Sequence, residues 1–119
     1  MDIRLKTAPF EFNGKKFELC CNMNVLADIQ EEFDGRITDA LNSVGTTRTA
    51  LKFLAAMCND YADSQGWPER YTDRQIGREM APTGANIREI AGLVSELVYS
   101  SIKADVSEQD ADAEDAEKN

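Results

Sequence analysis

Residues 50–58 constrain this chain more than any other stretch. Ala50, Leu51, Phe53, Leu54, Ala55, Ala56, Met57 and Cys58 are apolar around most of a helix's circumference, and such a helix needs neighbours on nearly every side. The spacing predicts a helix over 47–64, capped by Thr46 or Thr47, at the centre of the core. Asn59, Asp60 and Asp63 then turn the chain back toward solvent. With 119 residues, 42% hydrophobic and 29% charged, the chain has material for one modest core.

The partners of that helix can be read on either side of it. Residues 8–21 have the pattern of a β-hairpin turning at Asn13-Gly14, the dipeptide suited to the positive φ angles of a type I′ turn. A two-residue loop sets Phe12 against Lys15, Glu11 against Lys16, Phe10 against Phe17 and Ala8 against Leu19. One face then carries Phe10, Phe12, Phe17 and Leu19, and the other a Glu11–Lys16 charge pair. Ile3 and Leu5 alternate in the opposite phase, which predicts a bend or bulge near Pro9.

A helix is expected over 23–33, with Asn22 as N-cap and a stripe of Leu26, Ile29 and Phe33, ended by Asp34-Gly35. A short helix over 36–43 contributes Ile37, Ala40 and Leu41, followed by Val44. After the connection 64–72, Thr72 or Asp73 caps a short helix bearing Ile76 and Met80, which Pro82 stops. The last helix spans 85–103, with Ile87, Ile90, Ala91, Val94, Leu97, Val98 and Ile102 at helical spacing. The fold class is mainly α (α+β): an N-terminal hairpin and four to five helices in one domain over 1–104. Residues 105–119 read as a disordered acidic tail, too poor in apolar residues to offset the entropy of ordering.

Composition narrows the function. Histidine is absent, which removes the side chain best suited to proton transfer near neutrality, along with His-activated nucleophiles and most zinc sites. Glu31-Glu32 and Asp60/Asp63 lie on exposed helical positions and read as solvated carboxylates. No catalytic residue, cofactor or metal ligand is assigned, and an enzyme is not expected. Cys20, Cys21 and Cys58 are odd in number, with two of them adjacent; the simpler reading is apolar filler in a reducing cytoplasm, the other a reactive or metal-binding thiol. No run approaches the ~18 apolar residues of a membrane span, and no signal-peptide core opens the chain. The formal charge of −9 is uneven: residues 1–104 hold 15 acids and 12 bases, a balance of −3, and residues 105–119 seven acids and one base, a balance of −6. Neither part offers the basic stripe that nucleic acid requires. The tail fits either a solvated spacer or a mimic of nucleic acid for a basic partner.

Residues 73–97 have the order of a helix-turn-helix, but Asn86 and Arg88 stand against Glu89 on an acidic chain, so simple packing is the stronger reading. Tyr61, Trp67 and Tyr71 fit either a contact patch or a cover for one end of the core.

The order of features then becomes informative. A hairpin, Phe12-Asn-Gly-Lys-Lys-Phe-Glu-Leu19, leads into Asn24-Val-Leu-Ala-Asp-Ile-Gln-Glu-Glu-Phe33, ending in Asp34-Gly35. The helix Leu51-Lys-Phe-Leu-Ala-Ala-Met-Cys-Asn-Asp60 follows, then Tyr71-Thr-Asp-Arg-Gln-Ile-Gly77 and a final amphipathic helix. Over residues 10–103 this resembles the tail assembly chaperones of long-tailed bacteriophages and prophages. The resemblance implies a non-enzymatic role in the bacterial host cytoplasm: binding the tape measure protein, keeping it soluble and assisting tail tube polymerisation. Members of that family are often also made in a longer, frameshifted form, and the acidic tail lies where such a junction would fall. The apolar surface expected to meet the partner comprises Leu26, Phe33, Ile90, Val94 and Leu97, rimmed by Trp67 and Tyr71. The alternatives are a small DNA-binding regulator using 73–98 and a minor structural phage protein at the head–tail joint.

Overall fold

A computed structural model of the chain describes the backbone of residues 5–118 and the side chains of residues 5–102. Two strands, β1 (Ala8–Phe12) and β2 (Lys15–Leu19), precede five helices: α1 (Met23–Glu32), α2 (Ile37–Asn42), α3 (Thr47–Gln65), α4 (Asp73–Glu79) and α5 (Gly84–Lys118). The strands pair antiparallel in the register the turn dictates, Phe12 against Lys15 through Ala8 against Leu19. Asn13 and Gly14 take φ of 53° and 76°, as a type I′ turn requires.

The bulge expected near Pro9 does not form; Pro9 pairs with Glu18 inside an unbroken ladder. Pairs alternate between hydrogen-bonded and non-hydrogen-bonded along an antiparallel ribbon, starting bonded beside the turn. Pro9 therefore falls where its nitrogen faces away from β2, and its missing N–H costs nothing. Leu5 lies before the strand and is exposed; Ile3 lies outside the described residues.

Side-chain caps start α1, α3 and α4. Asn22, Thr46 and Thr72 each accept from the backbone N–H three residues on, Val25, Thr49 and Gln75, satisfying donors that the first turn leaves free. The C-terminus of α3 is closed by Gly66 at φ 73°, a left-handed conformation that glycine adopts without strain.

As its composition requires, α3 is central: it packs against α1, α4, α5 and β2. Phe53, Leu54 and Cys58 are fully buried, and Met57 nearly so. Around them lie Phe17 and Leu19 of β2, Val25 and Ile29 of α1, Ile76 of α4, and Val94, Leu97 and Val98 of α5. Val25 replaces Leu26 at the middle of the inward stripe of α1, and Leu26 and Phe33 sit half-buried on its flank. As expected, α3 starts at Thr47, and it ends at Gln65, one residue beyond the expected end. Asn59 donates through Nδ2 to Tyr71 O at 2.8 Å and accepts from Tyr71 N–H at 2.7 Å. This reciprocal pair ties the connection 66–72 back onto the helix. Asp60 accepts from Asn22 Nδ2 at 2.7 Å, joining the cap of α1 to α3.

Helical backbone in α5 continues to Lys118, beyond the expected end at 103, through a stretch in which the good helix formers Ala and Glu alternate with Asp. The reading of 105–119 as a disordered acidic tail falls on residues whose side chains lie outside the described ones. No described helix is long and apolar enough to cross a membrane.

Candidate functional site

Packing along α5 loosens toward its N-terminus. Val94, Leu97 and Val98 are fully buried against α3, Ile90, Ala91 and Leu93 are half-buried, and Ile87 is 47% exposed. Two causes are local. After only seven residues α4 ends, Met80 being extended with ψ 132°, and Pro82 cannot continue a helix. Thr83 then caps α5, its Oγ1 accepting from Asn86 N–H at 3.1 Å, while Asn86 Nδ2 donates to Ala81 O at 2.9 Å. The connection is held in place, and the first turns of α5 are left only partly covered, Ile87 least of all.

An apolar groove results. Its inner part, about 160 Å³, is floored by the buried Ala50 and Leu51 of α3 and walled by Met80 and Pro82 on one side and Ile87 and Ile90 on the other. Gly77 lets α4 approach closely: a Cβ there would stand 3.1 Å from Leu51 Cδ1. An outer part of about 360 Å³ shares Met80, Asn86 and Ile90 and continues between Pro9, Phe10 and Glu11 of β1 and Glu89 and Leu93 of α5. The two parts adjoin, so a channel of mostly apolar lining follows α5 from Ile87 to Leu93. Its charged lining residues are Glu11 and Glu89, both exposed.

The residues expected to meet a partner are not gathered in one patch. Ile90 lines the groove. Val94 and Leu97, at 0% and 1% exposure, belong to the core, because the apolar stripe of α5 is consumed by α3 over these turns. Leu26 on α1 and Phe33 at its C-cap lie outside the groove lining. Tyr71 is buried at 7% and, with Trp67, belongs to an aromatic cluster beneath the hairpin. Phe17 is its hub, with ring centroids 5.9, 5.6 and 5.4 Å from Tyr61, Trp67 and Tyr71, all edge-to-face. Lys15 lies 4.5 Å over the Trp67 ring and pairs with Glu69 at 2.7 Å. The connecting loop thus covers the end of the core and fixes the hairpin that forms one wall of the groove. Met80, Pro82, Leu93, Pro9 and Phe10, which line the groove, were not singled out from the sequence as partner contacts. The available signal was the crowding of apolar residues at 80–93 around a proline that stops a helix.

Two other regions carry titratable groups. A shallow cleft between α1, α3 and the start of α4 contains Asp28, Glu31, Glu32, Lys52 and Asp73. Arg48 and Lys52 approach Asp73 at 2.7 and 3.8 Å, and Lys52 approaches Glu32 at 3.6 Å. Burial acts to raise the Asp73 pKa. The hydrogen bond from Arg48, the charges of Lys52 and Arg48 and the N–H of Arg74 outweigh it and hold the carboxyl below its usual range. Asp28 is pushed up, first by burial and then by the charges of Glu31, Asp60 and Asp63. These carboxylates are engaged in, or repelled by, an ion-pair network that joins helices. Burial pushes the Cys21 and Cys58 thiols up to about 12, with Cys20 adding to the effect at Cys21, far from the thiolate that reactivity needs.

The α4–α5 pair keeps the order of a helix-turn-helix. Asn86 is spent on Ala81, Arg88 lies against Gly84, and the exposed positions that follow include Glu89 and Glu96. No protein-family model, curated protein or solved structure matches this chain.

Proposed function

We propose that this chain is a non-enzymatic assembly chaperone of the long-tailed phage type. In this reading it acts in the bacterial cytoplasm, covering an apolar stripe of the tape measure protein until tail tube subunits replace it. The observation that carries the reading is the groove along the first turns of α5, an apolar channel floored by buried residues of α3 and left open beside the half-exposed Ile87. Helix-in-groove packing is the binding mode such a channel serves, the guest contributing anchors at helical spacing. Each large aliphatic side chain moved from water into it is worth about 1.5–3 kcal/mol, so a few anchors hold a guest with no chemistry at all. The resemblance over residues 10–103 points the same way, since tape measure proteins are long, helical and amphipathic.

The test is co-expression. Alone, the tape measure protein is expected in the insoluble fraction; with this chain it should be soluble and co-purify. Ile87→Asp should abolish that rescue while far-UV circular dichroism stays native, because Ile87 is half exposed and an acid in the first turn suits the helix dipole. A tape measure protein soluble to the same extent with and without this chain would refute the proposal.

A further inference from the structure

We propose that the groove between β1 and α5 selects an amphipathic helix whose apolar stripe is flanked by lysine or arginine, with Glu11 and Glu89 supplying the counter-charge. The inference rests on the chaperone reading for its site and adds the chemistry of the guest. Two features of the groove carry it.

The first is charge. The inner part is lined by uncharged residues, and the outer part has Glu11 on one bank and Glu89 on the other, with no basic lining residue. Both carboxylates are exposed; Glu11 stands opposite Lys16 in the ladder, but the expected Glu11–Lys16 pair does not close to 4 Å, and neither carboxylate has an ion-pair partner within that distance among the described residues. By contrast Lys6 is taken by Glu96, Lys15 by Glu69 and Arg48 by Asp73. A guest with acidic flanks would set like charges together along both banks, whereas basic flanks find two acceptors.

The second is the shape of the free edge. A groove walled by a strand invites an added strand as readily as a helix. On β1 the residues whose backbone faces outward alternate with those bonded to β2, which makes them Pro9 and Glu11. Pro9 has no N–H, so an incoming strand would find one donor where two are needed. The edge is blunted against strand addition, and a helix, which satisfies its own backbone, is the guest that fits.

The experiment uses the full chain and two synthetic helical peptides of about 18 residues, five turns long. Both carry the same leucine and alanine stripe, flanked by lysines in one and glutamates in the other. Binding is read by fluorescence anisotropy at low and near-physiological salt, about 0.01 and 0.15 M. The lysine peptide should bind on the order of tenfold tighter at low salt, and the gap should narrow as salt rises. The pair E11Q and E89Q should close most of the gap, and Ile87→Asp should abolish binding of both peptides with the fold intact. Equal binding of the two peptides, lost on Ile87→Asp, would overturn the charge selection and leave the groove as a docking site. Binding indifferent to Ile87→Asp would overturn the placement. Binding of neither peptide, with tape measure rescue retained, would overturn the inference while sparing the chaperone reading. A dimer in solution that Ile87→Asp converts to monomer would assign the groove to a second copy of the chain and overturn it as well.

Discussion

Phe17 is where the hairpin is fastened to the helical domain, and Phe17→Leu measures how firmly. The ring is 2% exposed and is ringed by Tyr61, Trp67 and Tyr71 edge-to-face, with Phe10 tilted at 6.2 Å. Leucine preserves apolar character but not shape, a change that costs up to about 1.5 kcal/mol in a well-packed core. The lost ring contacts are worth about 0.5–1.5 kcal/mol per pair, but they share one ring and do not add. A total of about 2–3 kcal/mol follows, a large part of the ~5–15 kcal/mol that domains possess, and a fall in Tm on the order of 10 °C. Urea unfolding followed through Trp67, the chain's one tryptophan, reports on the cluster, and far-UV circular dichroism reports on the helices. Both midpoints should move together with an unchanged slope. A cycle with Tyr61→Leu should return a coupling of about 0.5–1.5 kcal/mol. A loss under ~0.5 kcal/mol, the size of an unremarkable surface change, or a coupling of zero, would refute the idea that edge-to-face contacts hold the hairpin.

Three further outcomes follow from the same geometry. Asp73→Asn should lower stability by about 1 kcal/mol at pH 7, since Asp73 is 16% exposed and held by Arg48. Its folded pKa is depressed, so this stability is present above the unfolded value near ~3.9 and is lost as pH falls through the lower folded value. Urea midpoints of the two proteins should therefore converge toward pH ~2, and a gap that persists there would count against the assignment. Gly66→Ala should cost about 1–2 kcal/mol through φ 73° alone, because nothing lies within 4 Å of the added Cβ. Gly66→Asn should cost less, and equal losses would point to a contact rather than backbone strain. Titration with a thiol-specific disulfide at pH 8 should leave Cys21 and Cys58 unreacted in the native protein and find all three thiols in urea. Prompt native labelling of Cys58 would show that the core opens locally.

Features governed by local chemistry were legible in the sequence. Asn13-Gly14 specifies a turn type, the turn type fixes a register, and all five cross-strand pairs follow. Asn22, Thr46 and Thr72 cap the helices because a short polar side chain there bonds its own backbone, which needs no tertiary context. Distant contacts were not legible. The stripe on α1 is centred on Val25 and Ile29, since its phase is set by where Cys21 and Ser101 draw the chain against α5, Ser101 Oγ donating to Cys21 O at 2.6 Å. Val94, Leu97 and Tyr71 had the composition of an interface and serve as core, because apolar spacing does not say which partner consumes it. The groove escaped notice for a related reason: it is bounded by four separate segments and exists in none of them.

The opening itself traces to residues that weaken α4. Gly77 stands in a helix interior at a cost of about 1 kcal/mol against alanine, and its missing Cβ seats α4 on Leu51. Pro82 follows at once, so α4 contributes one fully buried side chain, Ile76, and stops. A helix two turns longer, without glycine, would bring further side chains toward Ile87 and Ile90 and complete the core at that end. This chain instead leaves Ile87 exposed and Met80 and Ile90 half-covered on the side where β1 presents a proline-blunted edge. Aliphatic side chains exposed together along a groove raise the risk of self-association. Glu11 and Glu89 on the two banks of the groove oppose that: two copies meeting groove to groove bring four carboxylates together. The acids that disfavour a second copy are the ones that favour a basic guest.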